Sequence, residues 1–297
     1  MKTIILLICL LFVTNARAIE IPGVSEEVTI KNATVNNGNL FTSDFLIEVA
    51  KGNVPGHSSV NKFGHNASAD AGDDIWGADG VYGFYPTAAV AVDIKSSIDS
   101  DNGATATGAI QVLVQGLTTD WVFATETITI DGTAAVEMTT PFIRLFRAFV
   151  FEAGSNNTNN GNLTVYPRAN GSGVTTANVG IYIGAGEGQT QQAIYTIPDG
   201  KTGYFLKGYV ALNNDDKGGE DGTFQWLMRA NNGVNGAWLV KGEVGLVNIG
   251  SSHWTYEYGI PVGAIPERTD IRIRLSAESD QMSTVAGFDL LLVDDGY

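Results

Sequence analysis

The side chains best suited to metal binding lie close together in the first third of the sequence. Two histidines, His57 and His65, precede a glycine-containing stretch that holds four aspartates, Asp70, Asp73, Asp74 and Asp79. Imidazole nitrogens are zinc ligands, and carboxylate oxygens are calcium ligands. The interval between the histidines matches no compact zinc motif, and no third strong ligand stands at a diagnostic interval. We therefore predict no zinc site and interpret both histidines as hydrogen-bonding members of a structural loop.

Calcium is the one cofactor that the sequence leaves open. Acidic loops occur at "DSDNG", "DAGDDIWGADG" and "NNDDKGGEDG", and calcium favours flexible cages of oxygen ligands. None of them matches the D-x-[DN]-x-[DN]-G pattern, and Lys217 places an ammonium where the third loop needs a ligand oxygen. The alternative is a set of solvated acidic turns. The calcium candidates are Asp70, Asp73, Asp74 and Asp79, and no other cofactor is predicted.

No arrangement of residues predicts catalysis. The sequence has no G-x-S-x-G nucleophile motif, its single cysteine is Cys9, and it offers three histidines as general bases. Paired carboxylates could catalyse glycoside hydrolysis, but the acidic residues fall mostly in predicted turns or on predicted solvent-exposed strand faces. We predict that the protein is not an enzyme and has no catalytic residues.

A row of aromatic residues is the third candidate site. In "HWTYEYG", Trp254, Tyr256 and Tyr258 occupy alternate positions, so a strand places them on one face. Such a row can stack on the rings of a glycan or cover a subunit interface. The alternative is core packing, because large aromatic side chains dominate β-sandwich interiors. The sequence leaves these three roles open.

The elements that position these residues are predicted to be strands. From about Phe45 onward, short segments rich in Val, Ile, Thr and aromatic residues are separated by Gly, Asn and Asp, and no window keeps a helical period. The predicted fold class is all-β, with two antiparallel β-sandwich (jelly-roll-like) domains after a signal peptide and an extended arm. The predicted boundaries are 1–18 for the signal peptide, 19–43 for the arm, 44–187 for the first sandwich and 188–297 for the second.

Three segments give sharper predictions. In "VFATETITIDGTAAVEM", the dipeptide DG separates two strand patterns by two residues, which predicts a hairpin with a type I′ turn. In "TDIRIRLSAE", apolar residues alternate with Arg272 and Arg274, which predicts one buried face and one solvent-exposed face. The alternation of Phe45, Ile47 and Val49 predicts a further strand.

The N-terminus and the charge restrict the partners. Lys2, an apolar run from Ile4 to Val13 and the A-x-A pattern at Ala16 and Ala18 predict a secretory signal peptide. Cleavage removes two of the 17 basic residues and none of the 32 acidic ones, which leaves a charge of 15 − 32 = −17. Such a surface repels phosphate backbones, so we predict no nucleic-acid partner. No later apolar run is long enough to span a bilayer, so no membrane contact is predicted after cleavage.

Four phrases of the sequence resemble uncharacterised structural proteins of marine tailed bacteriophages. They are "FLIEVAKGNVPGHSSVNKFGHN", "VQGLTTDWVFATETITIDGTAAV", "FIRLFRAFVFEAGSNNTNNGNLTVY" and "YTIPDGKTGYFLKGY", and the resemblance runs from about Asp44 to the C-terminus. It implies an oligomeric virion component, such as a capsid decoration, fibre or tail-associated protein. The predicted export signal departs from that family, whose members assemble in the host cytoplasm.

The sequence therefore favours a non-enzymatic virion structural protein that acts by assembly and surface attachment. Its predicted partners are itself and other virion subunits, and its predicted location is the virion. The alternative is a secreted, extracellular fibre subunit or adhesin, in which "EEVTIKNAT" adds as a strand to the sheet edge of a neighbouring subunit. A cell-surface glycan bound by the aromatic row is the further partner that the sequence allows.

Overall fold

The computed structural model describes residues 33–36, 39–42, 44–104, 107–168, 179–213, 220–230, 236–248, 251–257, 263–278 and 281–297. The predicted signal peptide lies outside the described residues, as does most of the predicted arm. Contacts divide the chain into two compact units, Met1–Ser58 and Ser59–Tyr297.

Antiparallel strands dominate the described residues, which confirms the all-β prediction. Helix α1 (Phe45–Ala50) is the one helix named among them, and no helix in this part of the chain is long and apolar enough to cross a membrane. The strands are β1 (Ala33–Asn36), β2 (Asn39–Thr42), β3 (His57–Ala69), β4 (Val92–Ser96), β5 (Ala109–Leu117), β6 (Phe123–Thr129), β7 (Val136–Glu137), β8 (Arg144–Ala153), β9 (Leu163–Pro167), β10 (Ile181–Ile183), β11 (Ile194–Thr196), β12 (Lys201–Asn213), β13 (Glu220–Ala230), β14 (Leu239–Asn248), β15 (Ser251–Glu257), β16 (Thr269–Glu278) and β17 (Met282–Asp294).

The first unit holds the β1–β2 antiparallel pair and helix α1. The strand predicted from the alternation of Phe45, Ile47 and Val49 is wrong, because these residues form α1. The Asp44 side chain accepts a hydrogen bond from the backbone nitrogen of Leu46 at 2.8 Å. This N-cap satisfies a donor that the first helical turn leaves without a partner, so the polar residue before the apolar run starts a helix.

Two β-sandwiches make up the second unit. In sandwich A, the sheet β10-β9-β4-β7 faces the sheet β6-β5-β8. Both sheets contribute to one core, with Ile94 and Val165 from the first and Val112 and Leu145 from the second. The alternating side chains of each strand place one apolar face inward, as a sandwich requires.

Sandwich B is built in the same way from the sheets β11-β16-β13-β14 and β15-β12-β17-β3. Its core combines Phe224 and Ile273 of the first sheet with Val210 and Phe288 of the second. The prediction of two antiparallel sandwiches is therefore confirmed. Strand β3 belongs to sandwich B although it precedes every strand of sandwich A in the chain, and the domain division at residue 187 stays a prediction.

The DG dipeptide forms a turn but not the predicted hairpin. The backbone nitrogen of Ala134 donates to the carbonyl oxygen of Asp131 at 3.0 Å, and of the two turn residues only Gly132 has a positive φ. Strand β6 pairs with β5, whereas β7 pairs with β4, so the turn connects the two sheets of sandwich A. Turn chemistry is local, but the partner of each strand is set by where its apolar face is buried.

The first half of β16 is buried on both faces and Arg274 is half-buried, so the predicted solvent-exposed face is wrong. Arg272 is 4% exposed, and Asp270 on the same face is fully buried. Charged side chains reach such positions only when they are paired and hydrogen-bonded. The alternation of charge along β16 therefore marks a second packed surface rather than a solvated one.

Lys62 on β3 is a lysine buried in the second unit. Its Nζ donates to the backbone carbonyl of Phe146 and lies 5.9 Å from the centre of the Phe146 ring. Burial lowers the pKa of Lys62 well below its ordinary value, and the charge of Arg147 acts in the same direction. The folded state therefore binds fewer protons at Lys62 than the unfolded state does, over the pH range between the two pKa values.

We expect Lys62 to make the free energy of unfolding rise with pH between its lowered folded-state pKa and about 10.4, the pKa up to which the unfolded lysine keeps its proton. Lys62→Met removes this titration and should flatten the rise. Urea denaturation at a series of pH values measures it, with Lys207→Met, which changes a partly exposed lysine, as the control that keeps the slope. An unchanged slope in Lys62→Met would contradict the assignment.

Candidate functional site

A stack of arginine and aromatic side chains crosses between the two sandwiches. The arginine–aromatic stack consists, in order, of Trp121, Arg144, Tyr85, Arg229, Trp238 and Arg272. Each guanidinium carbon lies 3.9 to 5.1 Å from the centre of a neighbouring ring. Arg144 lies on β8 of sandwich A, whereas Arg229 and Arg272 lie on β13 and β16 of sandwich B. Cation–π contacts thus link the sandwiches.

Asp270 neutralises the centre of this stack. Its carboxylate accepts from Nε of Arg144 at 2.7 Å and from Nη2 of Arg229 at 2.7 Å. The Thr196 hydroxyl donates to the same carboxylate at 2.7 Å. Burial raises the pKa of Tyr85 well above its ordinary value, which keeps its hydroxyl protonated. Because the donors of Arg144 and Arg229 point at Asp270, the stack acts as a structural joint.

Asp74, one of the calcium candidates, lies at the end of the stack and is fully buried. Its Oδ2 accepts from Nη1 of Arg272 at 2.9 Å and from the backbone nitrogen of Tyr82 at 3.0 Å. Its Oδ1 accepts from Nε of Arg274 at 2.9 Å. Both carboxylate oxygens therefore serve two arginines, and Asp74 anchors the end of the stack.

The other three calcium candidates lie in the turns that flank Asp74. The Asp73 carboxylate accepts from the backbone nitrogen of Asp70 at 2.9 Å, and Asp79 accepts from the Asn66 side chain at 2.9 Å. Burial raises the pKa of Asp73, and the nearby carboxylates of Asp79 and Asp70 act in the same direction. No group of three or more His, Cys, Asp or Glu among the described residues is arranged to hold a metal. Calcium binding at Asp70, Asp73, Asp74 and Asp79 stays a prediction.

The two histidines make separate local contacts. The Nδ1 of His57 lies 2.9 Å from the carbonyl oxygen of Pro55, and its ring meets that of Phe45 edge-on at 5.6 Å. The Nε2 of His65 lies 3.2 Å from the hydroxyl of Ser283. Both contacts fit the predicted hydrogen-bonding role, but the predicted loop is wrong, because both histidines lie on strand β3.

An aromatic cleft opens on one side of sandwich B, where β14 and β15 are the edge strands of their sheets. Its volume is about 520 Å³, within the usual range for small-molecule sites. Side chains from β12, β13, β14 and β15 and the segment before β16 form its walls. The side chains that give it its chemistry are Trp226, Trp254, Lys241, Glu243 and Thr269.

Trp254 of the predicted aromatic row lines this cleft, and the Tyr256 ring stacks on it. Trp254 is half-buried and meets the Trp226 ring at 5.5 Å with an angle of 61°. Tyr256 is 45% exposed, and its ring is nearly parallel to that of Trp254, 8° apart with centres at 5.7 Å. Trp254 therefore joins the core to the surface, while Tyr258 lies outside the described residues. A role in glycan or subunit contact stays a prediction.

Two glycines keep the cleft open. Gly242 is the cross-strand partner of Trp226, and Gly208 is the cross-strand partner of Tyr256. A Cβ atom added to Gly208 would lie 3.4 Å from the Trp226 ring. Side chains at these positions would cover the aromatic surfaces, so the glycines leave room for another molecule.

The sequence analysis did not predict the polar groups of the cleft. Thr269, at the start of β16, is 3% exposed, and its Oγ1 is buried with no hydrogen-bond partner. Lys241 and Glu243 on β14 supply one positive and one negative charge, and the Gln225 side chain donates to Glu243 at 2.5 Å. The spacing of these residues carries no signal, because three separate strands bring them together.

No family model matches this chain, and no curated protein matches it. Among solved structures, it is similar to that of the infectious bursal disease virus Gt strain, with 11% identity over 86% of this chain and 79% of that chain and a TM-score of 0.19. It is also similar to the VP2 subviral particle of infectious bursal disease virus, with 11% identity over 81% of this chain and 72% of that chain and a TM-score of 0.22. TM-scores this low carry no argument about function.

Proposed function

We propose that this chain is a non-enzymatic structural protein of a virion that assembles with itself and with other virion subunits and attaches to surfaces. A capsid decoration, a fibre and a tail-associated protein are the roles that fit. The four phage-like phrases of the sequence support the virion location, and the two β-sandwiches supply a scaffold whose surfaces act by shape. The observation that carries the proposal is the outer edge of β14.

The outer edge of β14 is open and apolar. Strand β14 pairs with β13 on one side, and no other described strand pairs with it on the opposite side. Leu239, Val240 and Val247 on this strand are 52%, 52% and 62% exposed. An unpaired edge strand is a template for pairing with another chain, and exposed aliphatic side chains favour such contacts. We call these three residues the β14 edge surface.

A charge on the β14 edge surface is expected to break assembly. Val247→Glu would bury a carboxylate at the subunit contact, which is unfavourable without a partner, so the purified chain should shift from oligomer to monomer. Sedimentation velocity measures the change. Val122→Glu is the matched control, because Val122 is 54% exposed but lies outside this surface. A wild-type monomer, or a Val247→Glu variant that sediments like the wild type, would contradict the proposal.

A secreted fibre subunit or adhesin is the second candidate function. The apolar run from Ile4 to Val13 and the A-x-A pattern favour it, because an export signal places the chain outside the cell. In this alternative, residues 19–43 donate a strand to a neighbouring subunit. Deleting them should abolish polymers while both sandwiches stay folded.

The mature N-terminus separates the two candidates. Intact-mass measurement of the chain from its native source should give a start at Met1 for a virion protein assembled in the cytoplasm. A start at Ile19 would support the secreted alternative. Mass spectrometry of purified virions gives the complementary result, since absence of this chain from particles would rule out the virion proposal.

A further inference from the structure

We propose that the aromatic cleft of sandwich B binds a neutral glycan through the rings of its pyranose units. This inference rests on the proposed function in surface attachment, for which it names the ligand class and the binding site. Three features carry it: the Trp254 ring that lines the cleft with Tyr256 stacked on it, a buried hydroxyl without a partner, and a lining whose charges balance.

The Trp254 ring, which lines the cleft and has the Tyr256 ring stacked parallel to it, forms the platform. One side of a pyranose ring presents C–H groups and is apolar, so it packs on the flat face of an aromatic ring. Trp226, which is 8% exposed, packs against Trp254 on one side, and the 45% exposed Tyr256 stacks on Trp254 beside the cleft. Gly208 and Gly242 leave the adjoining space unfilled. A rigid aromatic surface of this kind binds a ring at low cost in conformational entropy.

The Thr269 hydroxyl supplies the polar contact. Buried hydroxyls in folded proteins are nearly always hydrogen-bonded, so one that lines a cleft without a partner points to a molecule that completes it. A sugar hydroxyl is both donor and acceptor and matches either orientation of the threonine O–H. The wall beside Thr269 is held in place by Ile265, whose backbone exchanges two hydrogen bonds with Gly203 at 2.8 and 2.9 Å.

The charges select a neutral ligand. Lys241 and Glu243 contribute one charge of each sign to the lining, so the cleft itself has no net charge. The chain as a whole carries a formal charge of −15, which repels uronic acids, sialic acids and phosphorylated sugars. The side chains of Lys241 and Glu243 can also form hydrogen bonds with hydroxyl groups. A neutral hexose polymer fits the aromatic, polar and electrostatic character of the cleft.

The test is titration of the full chain with neutral cello- and galacto-oligosaccharides and with oligogalacturonate, by calorimetry and saturation-transfer NMR. We expect a neutral oligosaccharide to bind and oligogalacturonate to fail. Tyr256→Ala should weaken binding about thirtyfold, as loss of an aromatic anchor does. Thr269→Val keeps the side-chain shape and should weaken binding about fivefold, the worth of one hydrogen bond. Phe151→Ala, which removes a 59% exposed aromatic outside the cleft, should bind like the wild type.

Three results would overturn the inference. They are no binding of any neutral oligosaccharide, equal binding of oligogalacturonate, and neutral binding that Tyr256→Ala and Thr269→Val leave unchanged. Dissociation of the oligomer by Tyr256→Ala in the absence of sugar would also overturn it, because the cleft would then be a subunit interface. Oligomers that Val247→Glu disrupts, combined with no glycan binding, would refute this inference alone and leave the proposed function standing.

Discussion

Asp270→Asn is expected to lower the free energy of unfolding by about 3–5 kcal/mol, because it removes a buried charge shared by two buried arginines. Asp270 is fully buried and accepts from Arg144 and Arg229. The asparagine amide has the same shape but no charge, so it cannot neutralise either guanidinium. Its NH2 group is a donor and would face the N–H donors of an arginine. Both arginines would stay enclosed in the arginine–aromatic stack without a counter-charge.

Urea denaturation followed by tryptophan fluorescence measures this loss, since Trp121 and Trp238 belong to the stack. Asp199→Asn is the matched control. Asp199 pairs with Arg268, but both side chains are more than one-third exposed, and such pairs contribute less than about 1 kcal/mol. Equal losses in the two variants would show that burial of the pair is not what stabilises the joint.

Period-two alternation was sufficient to predict an all-β chain with two sandwiches, because it reflects how each strand buries one face. It did not predict which strands pair. The DG dipeptide has the composition of a hairpin turn, yet β6 and β7 lie in different sheets. Similarly, the run that begins at Phe45 alternates like a strand, and the polar residue before it, Asp44, makes it a helix. Local chemistry sets turns and caps, whereas sheet partners depend on the whole core.

The candidate site shows the same limit. Alternation placed Trp254 and Tyr256 on one face, and the structure has Trp254 in the cleft lining with Tyr256 stacked on it. The polar lining residues of the cleft, Thr269, Lys241 and Glu243, come from two strands, β14 and β16. The arginine–aromatic stack escaped prediction for the same reason. On β16 the sequence predicted a solvent-exposed face, because arginines alternate there with apolar residues. The structure buries arginine on that face, since buried carboxylates from elsewhere in the chain pair with it.

Gly64→Ala is expected to lower the free energy of unfolding by about 3 kcal/mol, at the upper end of the usual cost of overpacking. A Cβ atom at Gly64 would lie 2.1 Å from the carbonyl oxygen of Ile75 and 2.5 Å from the backbone nitrogen of Ala193. Those two atoms are hydrogen-bonded to each other at 3.0 Å, and both residues are fully buried in the core of sandwich B. Backbone atoms cannot rotate away as a side chain does, so β3 must move off the segments that it crosses.

Urea denaturation of Gly245→Ala provides the comparison. Gly245 lies on β14 without a left-handed φ, and the nearest atom to an added Cβ is the Thr223 hydroxyl at 3.9 Å. Its free energy of unfolding should therefore stay within about 0.5 kcal/mol of the wild type. Because both changes add the same methyl group to a strand glycine, the difference between them isolates the close backbone approach at Gly64. Equal stabilities would mean that β3 packs less tightly than the distances require.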